Sequence, residues 1–452
     1  MKVFIAGICG TFMAGIAQIA KALGHSVHGC DANIYPPMSD VLAAAGIEVK
    51  QGYVPDHIEP DTDIIIIGNA LSRGNPLVEH VLDHKLRYQS GPAWLSDNVL
   101  LQRQVIAVAG THGKTSTASM VAWILEQAGY KPGFLIGGKP GNFEASARLG
   151  SGAFFVIEAD EYDTAFFDKR SKFVHYQPTI AVLNNLEFDH ADIFDDIGQI
   201  KRQFHHLVRI IPSSGSIVVN KDDENLADVL AMGSWSAISR FSTSDTEAEW
   251  GIERITADAS HFKVLQRGQS MGHVIWPCIG DHNMANALAA IAACHQAGVG
   301  AEAACNALAQ FKPSARRLQL LYQDDLVCLY EDFAHHPTAI AITLDALRKS
   351  HPDAKLIAIV EPRSNTMQMA HHSKAIGPAL AVADHVILYL PKPVDWDANA
   401  LQTVKYLSII NQPDKMIAEV SALVQGAAVI VAMSNGSFDG IPGNLKKWLS
   451  AK

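Results

Sequence analysis

The chain has 452 residues, of which 48% are hydrophobic and 18% charged, with six cysteines and a formal net charge of −10. That length implies two to four domains rather than one core, and the composition is that of a folded, soluble protein. The acidic balance argues against partners such as nucleic acid or an anionic membrane, and no apolar run approaches the roughly 18 residues of a membrane helix.

The N-terminus resembles a signal peptide only superficially. Lys2 precedes an apolar stretch, but Gly7, Gly10 and Gly15 interrupt it, and Gln18 and Lys21 follow at helical spacing. It reads as strand, loop and helix with no targeting segment, and the expected location is the cytoplasm. Cys9, Cys30, Cys278, Cys294, Cys305 and Cys328 form no C-x-x-C pair and sit singly in apolar segments, as buried thiols do in a reducing compartment.

Residues 1–104 alternate between strand-like runs (Val3–Ala6, Val27–Gly29, Ile64–Ile67) and helix-like ones (Met13–Leu23, Val41–Ala45), which predicts a parallel α/β unit. The loop Gly7–Gly15 is glycine-rich without being G-x-G-x-x-G. Asp31 ends the second strand about 20 residues later, where a ribose-binding acid can sit. Nucleotide binding and a simple βα turn account for these features equally well.

A polar link, Gln102–Gln104, leads into a second α/β unit, 105–315. The run Val105–Ala109 ends in Gly110-Thr111-His112-Gly113-Lys114-Thr115-Ser116, with a helical pattern at Ala118–Leu125 behind it. This is the short G-x-x-G-K-T form of a phosphate loop. Its glycines admit backbone N–H groups to a polyphosphate, Lys114 reaches the outer phosphates, and the Thr115 hydroxyl suits Mg²⁺. The strand-like Phe154–Ile157 ends in Glu158, Asp160, Glu161 and Asp163, carboxylates placed for Mg²⁺ beside phosphate, with Glu158 foremost; a solvated acidic loop is the alternative. Ile180–Leu183 leads likewise to Glu187, Asp189, His190 and Asp192. Residues 247–278 alternate and contain Gly and Pro, which suggests an antiparallel excursion. Asn286 lies in the first turn of a helix at Ala287–Ala297, where an amide can pair with an adenine edge; taken alone, these residues read rather as a helix start capped by Asn283. Arg316 and Arg317 follow at the boundary, as phosphate ligands or as surface residues.

A third α/β unit, 316–452, has strand-like runs at Leu326–Tyr330, Leu356–Val360, His385–Leu390 and Ala428–Met433, with helices at Thr338–Leu347 and Leu445–Leu449. Three polar loops follow strands there: Glu331–Pro337 with its His335-His336 pair, Glu361–Thr366, and Met433–Phe438. The paired histidines can receive protons or hold a carboxylate. Ligands bind at such strand ends, but Glu361–Thr366 and Met433–Phe438, each taken alone, read as ordinary turns.

Taken in order, Gly110–Thr117, Glu158, Asn185–His190, His282-Asn283 with Asn286, Arg317, and Asp332–Pro337 resemble the motifs of the Mur ligase family, the ATP-dependent amide-forming ligases of peptidoglycan metabolism. The resemblance covers nearly the whole chain. It implies three α/β domains: a Rossmann-like domain for a UDP-sugar, a central P-loop ATPase-type domain, and a Rossmann-like C-terminal domain for the incoming amine. It also implies Lys114, Glu158 and His190 as catalytic residues, and Thr115, Glu158 and His190 as Mg²⁺ ligands. ATP falls to Gly110 through Ser116 (Thr111, His112, Gly113, Lys114 and Thr115 between them), with Asn283, Asn286, Arg317 and Asp332. The UDP-sugar falls to Gly7, Cys9, Gly10, Thr11, Phe12, Met13, Asp31, Asn69 and Ser72. A peptide falls to His335, His336, Arg363, Asn365, Ser434 and Asn435. The motifs are most similar to the branch acting on UDP-N-acetylmuramate, and to its member that adds the recycled peptide L-Ala-γ-D-Glu-meso-diaminopimelate through an acyl phosphate. The relative adding free L-alanine, the alternative, carries basic residues where Ser364 and Met367 stand here. Some branches carry a carbamylated lysine after the His190-like motif, and Lys201 is out of register for it. The implied partners are small molecules only, without nucleic acid or membrane insertion, for a monomer or weak homo-oligomer.

Overall fold

The computed structural model describes residues 1–36, 38–189, 193–363, 373–394, 396 and 399–451. Among these residues the strands fall into sheets of five, ten and six, plus a two-stranded ribbon. The first sheet contains β1 (Lys2–Ala6), β2 (Ser26–Asp31), β3 (Glu48–Gln51), β4 (Ile64–Ile67) and β5 (Tyr88–Ser90), with helices α1 (Thr11–Ala22), α2 (Met38–Ala44), α3 (Pro76–Asp83) and α4 (Gly91–Asn98) between and after its strands. Its order is β3-β2-β1-β4-β5, all parallel. β4 shows why: four consecutive isoleucines are buried, which suits a strand covered on both faces rather than one. β1 lies between β2 and β4, so the loop after it opens at the switch in strand order, where such sheets bind ligands.

The ten-stranded sheet begins with β6 (Gln104–Ala109), β7 (Gly133–Leu135), β8 (Ala147–Arg148) and β9 (Phe154–Ala159). After the ribbon β10 (Asp163–Ala165) and β11 (Asp168–Ser171), it continues with β12 (Ile180–Leu183), β13 (Ser216–Asn220), β14 (Ala237–Phe241), β15 (Trp250–Arg254), β16 (His261–Gln266) and β17 (Gln269–Ile275). β15 to β17 pair antiparallel, as the alternating sequence there predicts. β6 is the strand between β9 and β12, which again puts the following loop at a switch point. The helices are α5 (Lys114–Gln127), α6 (Ile197–Arg209), α7 (Glu224–Ala231), α8 (Asp281–Gln296) and α9 (Ala301–Leu308).

The third sheet has the order β18 (Gln319–Gln323), β19 (Val327–Asp332), β23 (Ala428–Met433), β20 (Lys355–Val360), β21 (His385–Tyr389), β22 (Leu407–Ile410), and α10 (Pro337–Ser350) follows β19. β18 alone among these strands runs antiparallel to its neighbour. The sequence ends β19 at Tyr330. The structure carries it on to Asp332 because Glu331 and Asp332 stay in register with Ala432 and Met433 of β23.

Several contacts hold the first unit on the central one. α1 lies against β7 and β8, and a Cβ at Gly15 would meet Ala147 Cβ and Leu135 Cγ at 3.2 Å. The ribbon reaches over from the central unit, with the Phe167 ring edge-on to Tyr88 at 4.9 Å and Phe166 packed on the first unit's core.

Candidate active site

Gly110 and Gly113 take φ values of +152° and +79°. A Cβ at Gly113 would lie 2.4 Å from Asn286 Oδ1, so both the backbone angle and the close approach of α8 require glycine. α5 starts at Lys114 with Gly113 as its N-cap and no side chain capping it. Its first-turn N–H groups and the positive end of its dipole therefore serve any anion entering the loop.

Residues after β12 clamp this loop. Asn185 accepts the His112 N–H at 2.8 Å and donates to the His112 carbonyl at 3.1 Å. The Glu187 N–H donates to Thr111 Oγ1 at 2.9 Å. Asn184 donates to Thr117 Oγ1 at 2.8 Å and to Asn286 Oδ1 at 3.4 Å, so the Asn286 oxygen faces the loop and its neighbour. α8 has Gly280 as its N-cap, and Asn283 donates to the Ile279 carbonyl at 2.8 Å rather than capping.

Lys114 Nζ donates to the Gly110 carbonyl at 2.7 Å and lies 3.3 Å from Glu161 Oε2. Burial alone would lower its pKa. Glu161, Asp160 and Glu158 outweigh burial and raise it, so the ammonium stays charged. Glu158 at the end of β9 accepts the Gly137 N–H at 2.7 Å. Burial raises its carboxyl above the usual range, against Gly137, Arg317 and Lys114. Arg317 donates to Thr115 Oγ1 at 3.1 Å and stacks on Phe333 at 4.8 Å. The Thr115 hydroxyl and the Glu158 carboxylate are the hard oxygen donors that Mg²⁺ takes, and a cation there would favour the ionised carboxylate. Gly137 makes the cradle tight, since a Cβ on it would lie 3.1 Å from Glu158 Oε2. These residues fit the ion. His190, expected beside them, lies outside the described residues, as do Asp192, Asn365, Ser364 and Met367.

A cleft of about 430 Å³ joins the loop to the third unit, lined by Thr111–Ser116, Glu158, His282, Asn283, Asn286, Arg317, Asp332, His335 and His336 among others. Asp332 is committed to backbone, accepting from Leu318 and from Ala334. Burial lowers the His335 pKa, and burial takes His282 down to about 4, so both rings are neutral at pH 7. Glu187 meets both His112, at 3.5 Å, and Thr338 of α10, at 2.8 Å. Of the other expected peptide residues, Arg363, Ser434 and Asn435 are not among those lining this cleft. Arg363 crosses Gly436 and donates to Ser437 Oγ at 3.3 Å, and the Ser434 hydroxyl is buried against Glu361.

A second cleft, of about 300 Å³, separates the first and central units. Gly10, Thr11, Phe12, Met13 and Asn69 line it, facing Glu158, Asp160, Thr164, Lys172 and Tyr176. Asp31 is turned to its own loop instead, accepting from Cys9 N–H at 2.9 Å and Asn33 N–H at 3.0 Å. Gly7 (φ +79°) shapes the same loop, and Ser72 is exposed. Sequence reasoning missed Lys172. Its Nζ lies 3.4 Å from Asp160 Oδ2 in its own unit and 5.9 Å from the Phe12 ring centre of the first unit, so its place in this cleft exists only once the two units are packed.

Three family models match the chain in order: "Mur ligase family, catalytic domain" over 2–103, "Mur ligase middle domain" over 108–294, and "Mur ligase, glutamate ligase domain" over 316–436. The chain is 51% identical to the UDP-N-acetylmuramate–L-alanyl-γ-D-glutamyl-meso-2,6-diaminoheptandioate ligase of Escherichia coli (strain K12), covering 100% of this chain and 99% of that one. Against a UDP-N-acetylmuramate–L-alanine ligase, that of Caldicellulosiruptor saccharolyticus, the identity is 33% over 86% of this chain and 83% of that one. A crystal structure of a murein peptide ligase from Psychrobacter arcticus superposes with a TM-score of 0.76 at 44% identity, covering 100% of this chain and 99% of that chain.

Replacing Gly113 by Ala forces a side chain into a left-handed backbone and onto Asn286. The expected result is a weakening of ATP affinity by at least about tenfold, roughly 1.4 kcal/mol, measured by titration with a fluorescent nucleotide. Unchanged affinity would place the nucleotide elsewhere.

Proposed function

The chain belongs to the Mur ligase family, and we propose that it joins UDP-N-acetylmuramate to L-Ala-γ-D-Glu-meso-diaminopimelate, with ATP converted to ADP and phosphate. The observation that carries this reading is full-length identity to a ligase of that name, well above the identity to a ligase that adds L-alanine. The reaction belongs to peptidoglycan recycling and takes place in the cytoplasm. No described helix is long and apolar enough to cross a membrane.

In this reading residues 1–104 hold the sugar nucleotide, 105–315 hold ATP, and 316–452 hold the peptide amine. A carboxylate oxygen of the lactyl group attacks the γ-phosphorus of ATP and ADP leaves. The peptide amine then attacks the carbonyl carbon, and phosphate departs with that carboxylate oxygen. The protein's work is to align two anions and to neutralise charge as it moves. Lys114 supplies a fixed positive charge at the loop, and the N–H groups at the start of α5 face the transferred group. Arg317 adds a second cation, held against Thr115 and Phe333. Mg²⁺ held by Thr115 and Glu158, with His190, would offset the charge of the phosphates. His335, neutral because buried, can accept a proton from or hydrogen-bond the incoming amine. Arg363, on the loop after β20, is the cation that would meet the peptide's carboxylates.

Lys172 belongs with the sugar nucleotide. It places a partly enclosed cation between α1 and Asp160 in a cleft that must take a substrate bearing a diphosphate and a carboxylate. Lys172→Met should raise KM for UDP-N-acetylmuramate by about tenfold or more while KM for ATP moves by less than about threefold, and Lys172→Arg should recover most of the loss. Equal effects on both substrates would remove Lys172 from that role.

The choice of amine is read by competition. With the peptide and L-alanine at equal concentration and products separated by mass, the peptide adduct should exceed the alanine adduct at least about a hundredfold. Alanine leaves polar groups of the third unit unpaired, at roughly 1–3 kcal/mol each. Predominance of the alanine adduct would replace the peptide with alanine as the natural amine.

A further inference from the structure

We propose that His112, Glu187 and His336 form a binding site for a zinc-class divalent cation that joins the central and third units. The three side chains come from loops after β6, β12 and β19, and their ligand atoms lie within 4.8 Å of one another. His112 Nε2 is 3.5 Å from Glu187 Oε2, and His336 Nδ1 is 3.9 Å from the same oxygen. Ligands at 2.0–2.2 Å from a tetrahedral zinc ion stand roughly 3.4 Å apart. Shifts of under about an ångström would therefore bring these donors into place, with water as the fourth ligand.

Their supports are already built. The His112 backbone is clamped on both sides by Asn185. The Glu187 carboxylate accepts from Thr338 Oγ1 at 2.8 Å, the kind of outer hydrogen bond that orients a metal-binding carboxylate. The His112 and His336 rings lie with centroids 5.0 Å apart and planes tilted by 45°. His112 Nε2 is buried and no hydrogen bond in the structure engages it. On metal binding the weak N–H bond from Thr338 to His336 Nδ1, 3.3 Å long, gives way to the ion.

Two imidazoles and one carboxylate select Zn²⁺, Co²⁺ or Ni²⁺ over Mg²⁺, which demands an octahedron of oxygens. This site is therefore chemically separate from the oxygen donors Thr115 and Glu158. Because its ligands span two sheets, an ion bound there ties the third unit to the phosphate loop.

The test is Zn²⁺ titration of the full chain, without nucleotide, against a chromophoric chelator. One ion per chain with a Kd of about 10 µM or tighter is expected. His112→Ala and His336→Ala should each weaken binding at least about tenfold. Glu158→Ala, and Cys9→Ser at the half-buried thiol, should change it by less than about twofold. Thermal melting establishes that each variant is folded. Absence of saturable binding up to about 100 µM, or binding lost in Cys9→Ser and kept in both histidine variants, would overturn the proposal. The readout is binding alone, so failure here leaves the ligase reading standing, and failure of the ligase reading leaves this one.

Discussion

The site depends on keeping one ammonium charged where water is largely excluded. Lys114 lies over its own loop with Glu158, Asp160 and Glu161 around it, and these carboxylates overcome the burial that would otherwise neutralise it. A buried ion pair of this kind is weak evidence for stability, because desolvation offsets its Coulombic gain. Its value is electrostatic: a positive charge is in place before any phosphate arrives, so little reorganisation is needed when negative charge develops. The rest of the central sheet follows from that demand. β9 must end beside β6 to deliver the carboxylates, and β12 must flank β6 on the other side to clamp the loop through Asn185 and Glu187.

The same strand ends connect the three units. Glu158 and Asp160 face both clefts, toward the phosphate loop on one side and toward Gly10–Met13 on the other. Arg317 and the Glu187–Thr338 bond tie the third unit to the phosphate loop. His112, with its Nε2 3.5 Å away, holds the Glu187 carboxyl below the usual glutamate range, helped by Thr338 and His336 and opposed by burial. A carboxyl depressed in the folded state contributes stability above its unfolded pKa and loses it as pH falls through the folded value. This junction is therefore firm at neutral pH and loosens in acid below the ordinary glutamate range.

Local features were legible in the sequence. A β-branched run that stops at Gly110 can only turn there, and the charged residues after Phe154–Ile157 had to emerge at a strand end. The alternation at 247–278 likewise marked an antiparallel excursion. What escaped depends on contacts between units or on side chains satisfying nearby backbone. Asp31 looks like a ribose ligand by spacing, yet its oxygens hold the Cys9 and Asn33 N–H groups. Asn283 looks like a cap, yet glycine holds that place. Ser434 looks like an open loop hydroxyl and is buried on Glu361. Lys172 carried no motif and gains meaning only when the ribbon docks Phe167 on Tyr88. The meeting of His112 with His336 joins residues more than two hundred positions apart, which no periodicity encodes.

In the proposed reaction the sugar's carboxylate is phosphorylated before the amine attacks. The direct measurement uses UDP-N-acetylmuramate labelled with ¹⁸O in the lactyl carboxylate, with ATP and the peptide, and mass analysis of the released phosphate. Phosphate carrying one labelled oxygen per turnover is the predicted result. Unlabelled phosphate alongside amide product would contradict it.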